Sequence, residues 1–396
     1  MRARADAVVV GGGIMGASVA RFLTKVGYGE IALVERSSVC GGSTQYSAAH
    51  VRQHYTNEVA IRLAVRAVEM FANAEEALGG PVGFVQDGYM VLAPEEQADA
   101  IRAVVPLQRA LGVETEILAP EEIADRWPAL AVDGVALACF EERSGYADPV
   151  RTTRTLVDAA RRDGLRVYEG SRVLGVTVAR GRVTGVVTGE GEIATPVVVN
   201  ATGPWGNEIG RMVGVEYPLR FSREHEAIFE APRDLGPFPV LSDAVQRLYL
   251  RHYGSGKVLV GEGWPKELEP VDPDDYDDAT DDAHLERMVP KLVRRVPALG
   301  PRLCQPAFGG AFVTGYSGVY DITDDWYPIV GEEEVEGFYS AFGGSGHSFK
   351  LAPAIGESLA HVIAGLEPPV DLSSLSGRRF ADGRTFSSVW GPGNRA

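Results

Sequence analysis

The stretch Ala5-Asp6-Ala7-Val8-Val9-Val10-Gly11-Gly12-Gly13-Ile14-Met15-Gly16, continued by Ile31-Ala32-Leu33-Val34-Glu35-Arg36, decides how the chain is read. Val8 to Val10 is a short continuous apolar run, as a strand buried on both faces requires. Gly11, Gly13 and Gly16 give Gly-x-Gly-x-x-Gly, and Ile14 to Lys25 carries its apolar residues at helical spacing. A second apolar run, Ile31 to Val34, ends in Glu35, nineteen residues after Gly16. Strand, tight turn, helix, strand and acidic residue form a βαβ unit that receives a dinucleotide. The first glycine permits the turn, the second lets the backbone approach a pyrophosphate, and the third permits close helix packing. The helix N-terminus offers free N–H donors and positive potential to that phosphate, and Glu35 stands where a ribose hydroxyl is bound.

The rest of the composition fits an ordinary globular protein: 396 residues, 45% hydrophobic and 23% charged. A net charge of -16 opposes nucleic acid or an anionic membrane as a partner, because the overall field repels both. Cys40, Cys139 and Cys304 are odd in number and far apart, so they form neither a disulfide framework nor a metal motif, and a reducing, cytoplasmic location is expected. No segment approaches the roughly 20 uninterrupted apolar residues of a membrane-spanning helix.

Further along, Ser37 to Tyr55 reads as an ordered loop with one helical turn, in which Ser43 and Thr44 can bond phosphate or ribose. Glu58 to Leu78 reads as a helix, and Val82 to Leu92 as a strand pair turning at Asp87-Gly88. Helices are expected over Pro94 to Leu111 and Pro120 to Trp127, and a strand over Val135 to Phe140. Asp148 and Pro149 cap and open a helix to Arg162. Strands follow at Arg166 to Tyr168, Val173 to Val178 and Val183 to Thr188. Val197 to Trp205 then runs from a buried strand into a Gly-rich turn. Short strands are expected at Ala227 to Phe229, Leu248 to Leu250 and Val258 to Val260. Ten acidic residues between Glu267 and Glu286 lack a calcium-loop spacing and read as a solvated loop, followed by a helix to Arg295. Pro328 to Gly331, Phe338 to Ala341, Gly343 to Lys350 and a helix to Ala364 repeat the strand, Gly-rich turn and helix plan.

Four markers in this order resemble the glutathione-reductase-like FAD enzymes of the D-amino acid oxidase family, especially the sarcosine oxidase branch. They are Gly11 to Gly16 with Glu35; Gly42-Ser43-Thr44 leading to Arg52; Val198-Val199-Asn200-Ala201-Thr202-Gly203-Pro204-Trp205; and Gly343-Gly344-Ser345-Gly346-His347-Ser348-Phe349-Lys350. The first alone fits NAD and FAD proteins alike.

The resemblance implies an α/β chain with a discontinuous Rossmann-type FAD domain (1–81, 145–215 and 326–370). An antiparallel-sheet substrate domain (82–144 and 216–325) and a C-terminal tail (371–396) complete it. It implies FAD contacts from Gly11, Gly13, Ile14, Met15, Gly16, Glu35, Arg36, Ser43, Thr44, His50, Val173, Ala201, Gly203, Trp205, Gly344, Gly346, His347, Ser348 and Lys350.

Its chemistry is hydride transfer from the carbon bearing a substrate amine to the flavin, with the protein positioning the amino acid. Arg52 suits a bidentate carboxylate contact and Lys350 supplies a point charge. Tyr249, Arg251, His225 and Tyr320 are candidates for lining the substrate cavity. Relatives with covalent flavin carry a cysteine where this chain has Gly318, or a histidine where it has Tyr46, so noncovalent FAD is expected, with His50 a possible contact. Lys257 lies close to the position of the lysine used with oxygen, but alignment of Gly261 places Leu259 there. The acceptor, oxygen or a dye or protein, therefore stays open, as does the oligomeric state. The expected substrate is a small secondary or N-methylated amino acid; a primary amino acid, or a role as flavoprotein subunit of an electron-transfer complex, are the alternatives.

Overall fold

The computed structural model describes residues 3–387, and residues 388–396 of the expected tail lie outside it. Strands Ala7–Val10 and Ile31–Val34 flank the helix Ile14–Lys25, as the opening motif requires. They sit inside a six-stranded sheet whose order is Ile329–Glu332, Phe338–Phe342, Val198–Asn200, Ala7–Val10, Ile31–Val34, Arg166–Tyr168. All neighbours are parallel except Ile329–Glu332 and Phe338–Phe342, which pair antiparallel. One sheet is thus assembled from both ends of the chain.

Strand periodicity explains the layers on this sheet, because alternate side chains face opposite ways. Ala7, Val9, Ile31, Leu33 and Val199 pack into a core with the helices Ile14–Lys25, Glu58–Ala72, Pro149–Arg162 and Ser348–Ile363. Val8, Val10, Ala32, Val34 and Val198 pack the other way, against Val173, Val176, Val183, Val186 and Ile193 of a four-stranded sheet. Burial on both faces is the reason these strands lack polar residues.

A second sheet has eight strands in the order Phe312–Ile322, Arg220–Glu230, Lys257–Glu262, Leu248–His252, Val240–Asp243, Tyr89–Ala93, Leu137–Glu141, Thr115–Leu118. It is antiparallel apart from the pair Val240–Asp243 and Tyr89–Ala93. Ala227, Phe229, Leu248, Leu250, Val258 and Val260 pack under the helix Asp282–Arg295. The opposite face carries Glu224, Glu226, Tyr249, Gly261 and Gly318, in register across neighbouring strands.

Several expectations are corrected. Val82 to Leu92 is no hairpin: Tyr89–Ala93 pairs with Leu137–Glu141 and Val240–Asp243, while Val85 bridges to Tyr146. Gly88, at φ +81, delivers the chain into the sheet and does not fold it back. The helix from Glu58 ends at Ala72, with Asn73 breaking it before a short turn at Ala74–Ala77. The acidic stretch is only partly a solvated loop, since Asp274 and Asp278 bond to residues around the cleft described next.

Candidate active site

Between the two sheets runs a cleft with about 1450 Å³ of empty space, counting the part open to solvent. Its floor is the opening motif. Gly11 has φ +104, and a Cβ there would stand 2.5 Å from the Ala201 carbonyl oxygen; a Cβ on Gly16 would stand 1.9 Å from the Gly11 carbonyl oxygen. Only glycine fits either position. Gly13 starts the helix without a side-chain cap, which leaves this helix end to backbone donors, and the Ile14 amide donates to Thr44 Oγ1 at 3.1 Å. Glu35 is oriented by its neighbours, its Oε2 accepting from the Gly12 amide at 2.7 Å and its Oε1 from the Ser37 amide at 2.8 Å.

Most of the expected cofactor residues come together along this cleft. Gly11, Gly13, Ile14, Met15, Glu35, Arg36, Ser43, Thr44, Val173, Ala201, Gly203, Trp205, Gly346 and Ser348 all line it. The Arg36 guanidinium stacks 3.7 Å from the Trp205 ring, and Asp274 accepts from both Arg36 (3.1 Å) and Trp205 Nε1 (2.9 Å). Gly16 lies behind the floor. Gly344 does not line the cleft: it packs on Ser348, whose Oγ a Cβ would meet at 1.7 Å. His347 also points away, its Nδ1 bonded to the Tyr55 hydroxyl at 2.9 Å. Tyr46 and Gly318 face each other across one wall, with 2.8 Å between Tyr46 Cβ and a Cβ built on Gly318. The Tyr46 hydroxyl donates to Asp278 at 2.6 Å.

Behind this wall lies a second, charged region. His50 is half-buried, with its Nε2 shielded from solvent and its ring edge-on to Tyr249 at 5.3 Å. Burial first, and then the positive charges of Arg251, Lys350 and Arg52, hold it well below the usual histidine range, so it is neutral. Arg52 is 7% exposed and sits 4.3 Å from the Tyr55 ring; Lys350 is 8% exposed. Arg52 and Arg251 have no ion pair among the described residues, and each donates to backbone carbonyls, Arg52 to His54 and Arg251 to Ala48 and His252. Burial pushes Glu141 up to about 7 against the pull of Gln53, Ser144 and Arg52, which leaves this neighbour only partly ionised.

Facing these cations, Glu224 and Glu226 line the cleft. Glu226 Oε1 accepts from the Tyr249 hydroxyl at 2.7 Å, and Glu224 pairs with Lys266. Neither glutamate was singled out from the sequence. Their spacing of two, which puts both on one face of a strand, was the available signal. Tyr320 lines the cleft as expected. His225 does not: it lies on the other face, stacked 4.9 Å from His284 and bonded to Glu269 and Thr280. Ligand atoms of His225, Glu269 and Asp281 lie within 4.8 Å of one another, but Arg223 already pairs with both carboxylates at 3.1 and 3.6 Å, supplying the positive charge they need. Lys257 also falls outside the site, opposite Glu230 at the far end of its strand.

A glycine-floored cleft with an uncapped helix end and an oriented carboxylate fits FAD. A family model described as "FAD dependent oxidoreductase" matches residues 6–362. The chain belongs to this family. It is 29% identical to "Sarcosine dehydrogenase, mitochondrial" of Mus musculus, over 98% of this chain and 42% of that protein. It is 27% identical to "Pyruvate dehydrogenase phosphatase regulatory subunit, mitochondrial" of the same organism, over 97% and 44%. The chain thus spans a little under half the length of these curated relatives. The crystal structure of L-proline dehydrogenase from P. horikoshii superposes with a TM-score of 0.87 at 28% identity, covering 97% of this chain and 99% of that one. Among the described residues no helix is long and apolar enough to cross a membrane.

Proposed function

We propose that this FAD-dependent oxidoreductase oxidises the C–N bond of a small secondary or N-methylated amino acid to an imine. The observation that carries the reading is the pair of buried guanidiniums, Arg52 and Arg251, which among the described residues have no ion-paired carboxylate and donate only to backbone carbonyls, beside Lys350 and a neutral His50. A buried cation lacking an internal counter-ion is costly, and a substrate carboxylate would supply that counter-ion. The relatives named for sarcosine and proline act on compounds of this kind.

When bound, FAD supplies the two-electron acceptor for the hydride. The chain would hold it through the Gly11 to Gly16 backbone and Glu35, with Trp205 and Arg36 at one end and Gly346 and Ser348 at the other. Arg52 and Lys350 would fix the substrate carboxylate, so that the α-carbon is presented in one orientation. The Tyr249, Tyr89 and His50 rings keep water away from that carbon. FAD would be held noncovalently, because Gly318 and Tyr46 meet where relatives attach it and Tyr46 is committed to Asp278. Acid precipitation of the yellow protein should leave a colourless pellet; a yellow pellet would overturn this and direct attention to His50.

The electrons would leave to a dye or protein acceptor in preference to oxygen, and the unpaired cysteines fit a cytoplasmic setting. Anaerobic bleaching of the pure protein tests the main proposal. Sarcosine, N,N-dimethylglycine or L-proline should bleach the flavin. A protein that stays yellow with every amino acid would instead favour a non-catalytic or electron-transfer subunit, a reading that the likeness to a phosphatase regulatory subunit keeps alive.

A further inference from the structure

The cation side of the site accounts for one end of an amino acid and leaves the amine without a partner. On the opposite wall, Glu226 is 3% exposed and lines the cleft. Its Oε1 is used by Tyr249, while Oε2 is buried with no hydrogen-bond partner among the described residues. A buried oxygen of this kind is costly unless something bonds to it. Position makes the gap meaningful. Tyr249, which holds Glu226, is the ring against which His50 packs, and His50 is the residue around which Arg52, Arg251 and Lys350 gather. Arg251 acts on both His50 and Glu226, so cation and carboxylate belong to one neighbourhood, as binding both ends of a zwitterion requires.

We propose that Glu226 is the amine-binding group of this site: Oε2 receives the substrate ammonium and takes one N–H proton from it, leaving the neutral amine and a protonated Glu226. The inference rests on the amino-acid reading above. Proton and charge balance, since R2NH2+ and a carboxylate become R2NH and a carboxylic acid, and the amine lone pair is then free to assist departure of the hydride from the adjacent carbon. Tyr249 is the positioning residue. Its phenol is driven well above the usual range by burial and by Glu226, so it stays a donor and fixes the carboxyl plane.

The charges around Glu226 set when it can act. Burial is the largest influence and pushes it up to about 8; Tyr249, Arg251 and Lys266 pull it down, and Glu224 pushes it up. Tyr316, on the neighbouring strand, remains a neutral phenol for the same reason of burial. Glu226 is accordingly a carboxylate above about pH 8 and a neutral acid below it, so amine capture strengthens as pH rises through that value.

The Glu226→Gln holoenzyme separates this role from a structural one, because glutamine keeps the size and can still accept from Tyr249. Two kinds of probe are used: sarcosine and L-proline, and their ether analogues methoxyacetate and tetrahydrofuran-2-carboxylate, in which oxygen replaces the amine nitrogen. In wild type, kcat/KM should rise to about pH 8 and level off. The variant must instead bind the already neutral amine, so its kcat/KM should keep rising about tenfold per pH unit toward the pKa of the substrate amine. At pH 8.5 the variant should lose about ten- to hundred-fold in the efficiency of anaerobic bleaching by the amines. Binding of the ether analogues, read from the flavin absorbance shift, should change less than about twofold. Equal losses for amines and ethers, or a variant profile that still levels near pH 8, overturns the assignment of Glu226 alone. A wild type that neither bleaches with amino acids nor binds the ethers overturns the amino-acid reading, and the inference with it.

Discussion

The floor of the cleft and its far wall are built from different parts of the chain. The floor is backbone: Gly11, Gly13 and Gly16 stand within six consecutive residues, and their function depends on having no side chain. The wall and the charged region behind it are side chain: Glu226 comes from one strand, Tyr249 and Arg251 from another, and Arg52 and Lys350 from segments 298 residues apart. A backbone site tolerates almost no change in shape but asks little of chemistry. A side-chain site depends on a few charges whose removal leaves the fold in place. Substitutions in the two regions should therefore fail in different ways.

The largest effect is expected at Gly16. A methyl group 1.9 Å from the Gly11 carbonyl oxygen cannot be absorbed by a rotamer change, so helix and turn must part. Gly16→Ala should purify without FAD and lose about 3 kcal/mol or more of stability. The flavin-to-protein absorbance ratio and thermal unfolding check this. A variant with full flavin content would show that the floor is less rigid than the contrast requires.

Next come Arg52→Ala and Lys350→Ala. Losing a charge-assisted contact to a desolvated carboxylate costs on the order of 2–4 kcal/mol, or roughly thirty-fold to a thousand-fold in kcat/KM. FAD content should be unchanged in both. If FAD is lost instead, these residues serve the cofactor, and floor and wall are not separable.

A smaller change is expected for Tyr46→Phe, which removes the 2.6 Å hydrogen bond to Asp278 and one tie between the acidic stretch and the cleft. One such bond at a partly exposed site is worth about 1 kcal/mol, so release of FAD, followed by its fluorescence, should accelerate less than about tenfold. A loss as complete as in Gly16→Ala would place the closing loop on a par with the floor.

The same contrast governs what the sequence discloses. The helix Ile14–Lys25 and the strand Ile31–Val34 occupy the residues that the motif assigns to them, because strand, turn and helix are local and the strands are apolar throughout. Apolar periodicity marks no strand over Phe312–Ile322, and it marks Arg220–Glu230 only over Ala227 to Phe229. Both have one face turned to the cleft, so Glu224, Glu226, Tyr316 and Gly318 stand where apolar residues normally mark a buried strand face. Asp87-Gly88 misled for the opposite reason: the local turn signal is genuine, but its partner strands lie elsewhere in the chain. Arg52 and Lys350 were legible through the motifs beside them. Glu226 had no motif beside it, and its importance appears only when Tyr249 and His50 are brought next to it.

Lys257 gives the smallest expected effect and the sharpest check on the wall. Parity along the strand puts Lys257, Leu259 and Gly261 on one face, and Gly261 lies under the Tyr249 ring. At about 3.3 Å per residue, Lys257 is roughly 13 Å further along the strand, opposite Glu230, with buried Leu259 in between. Its ammonium therefore stands outside the cleft, where solvent screens it from charge developing inside. Lys257→Met should change the rate of reoxidation by air, measured in a stopped-flow mixing experiment on the reduced enzyme, by less than about twofold. Amino-acid turnover with a dye acceptor should be equally insensitive. Fast reoxidation in wild type that is abolished in the variant would mean that a charge this far along the sheet reaches the flavin. Membership of the wall would then have to be drawn from the length of lysine side chains as well as from strand register.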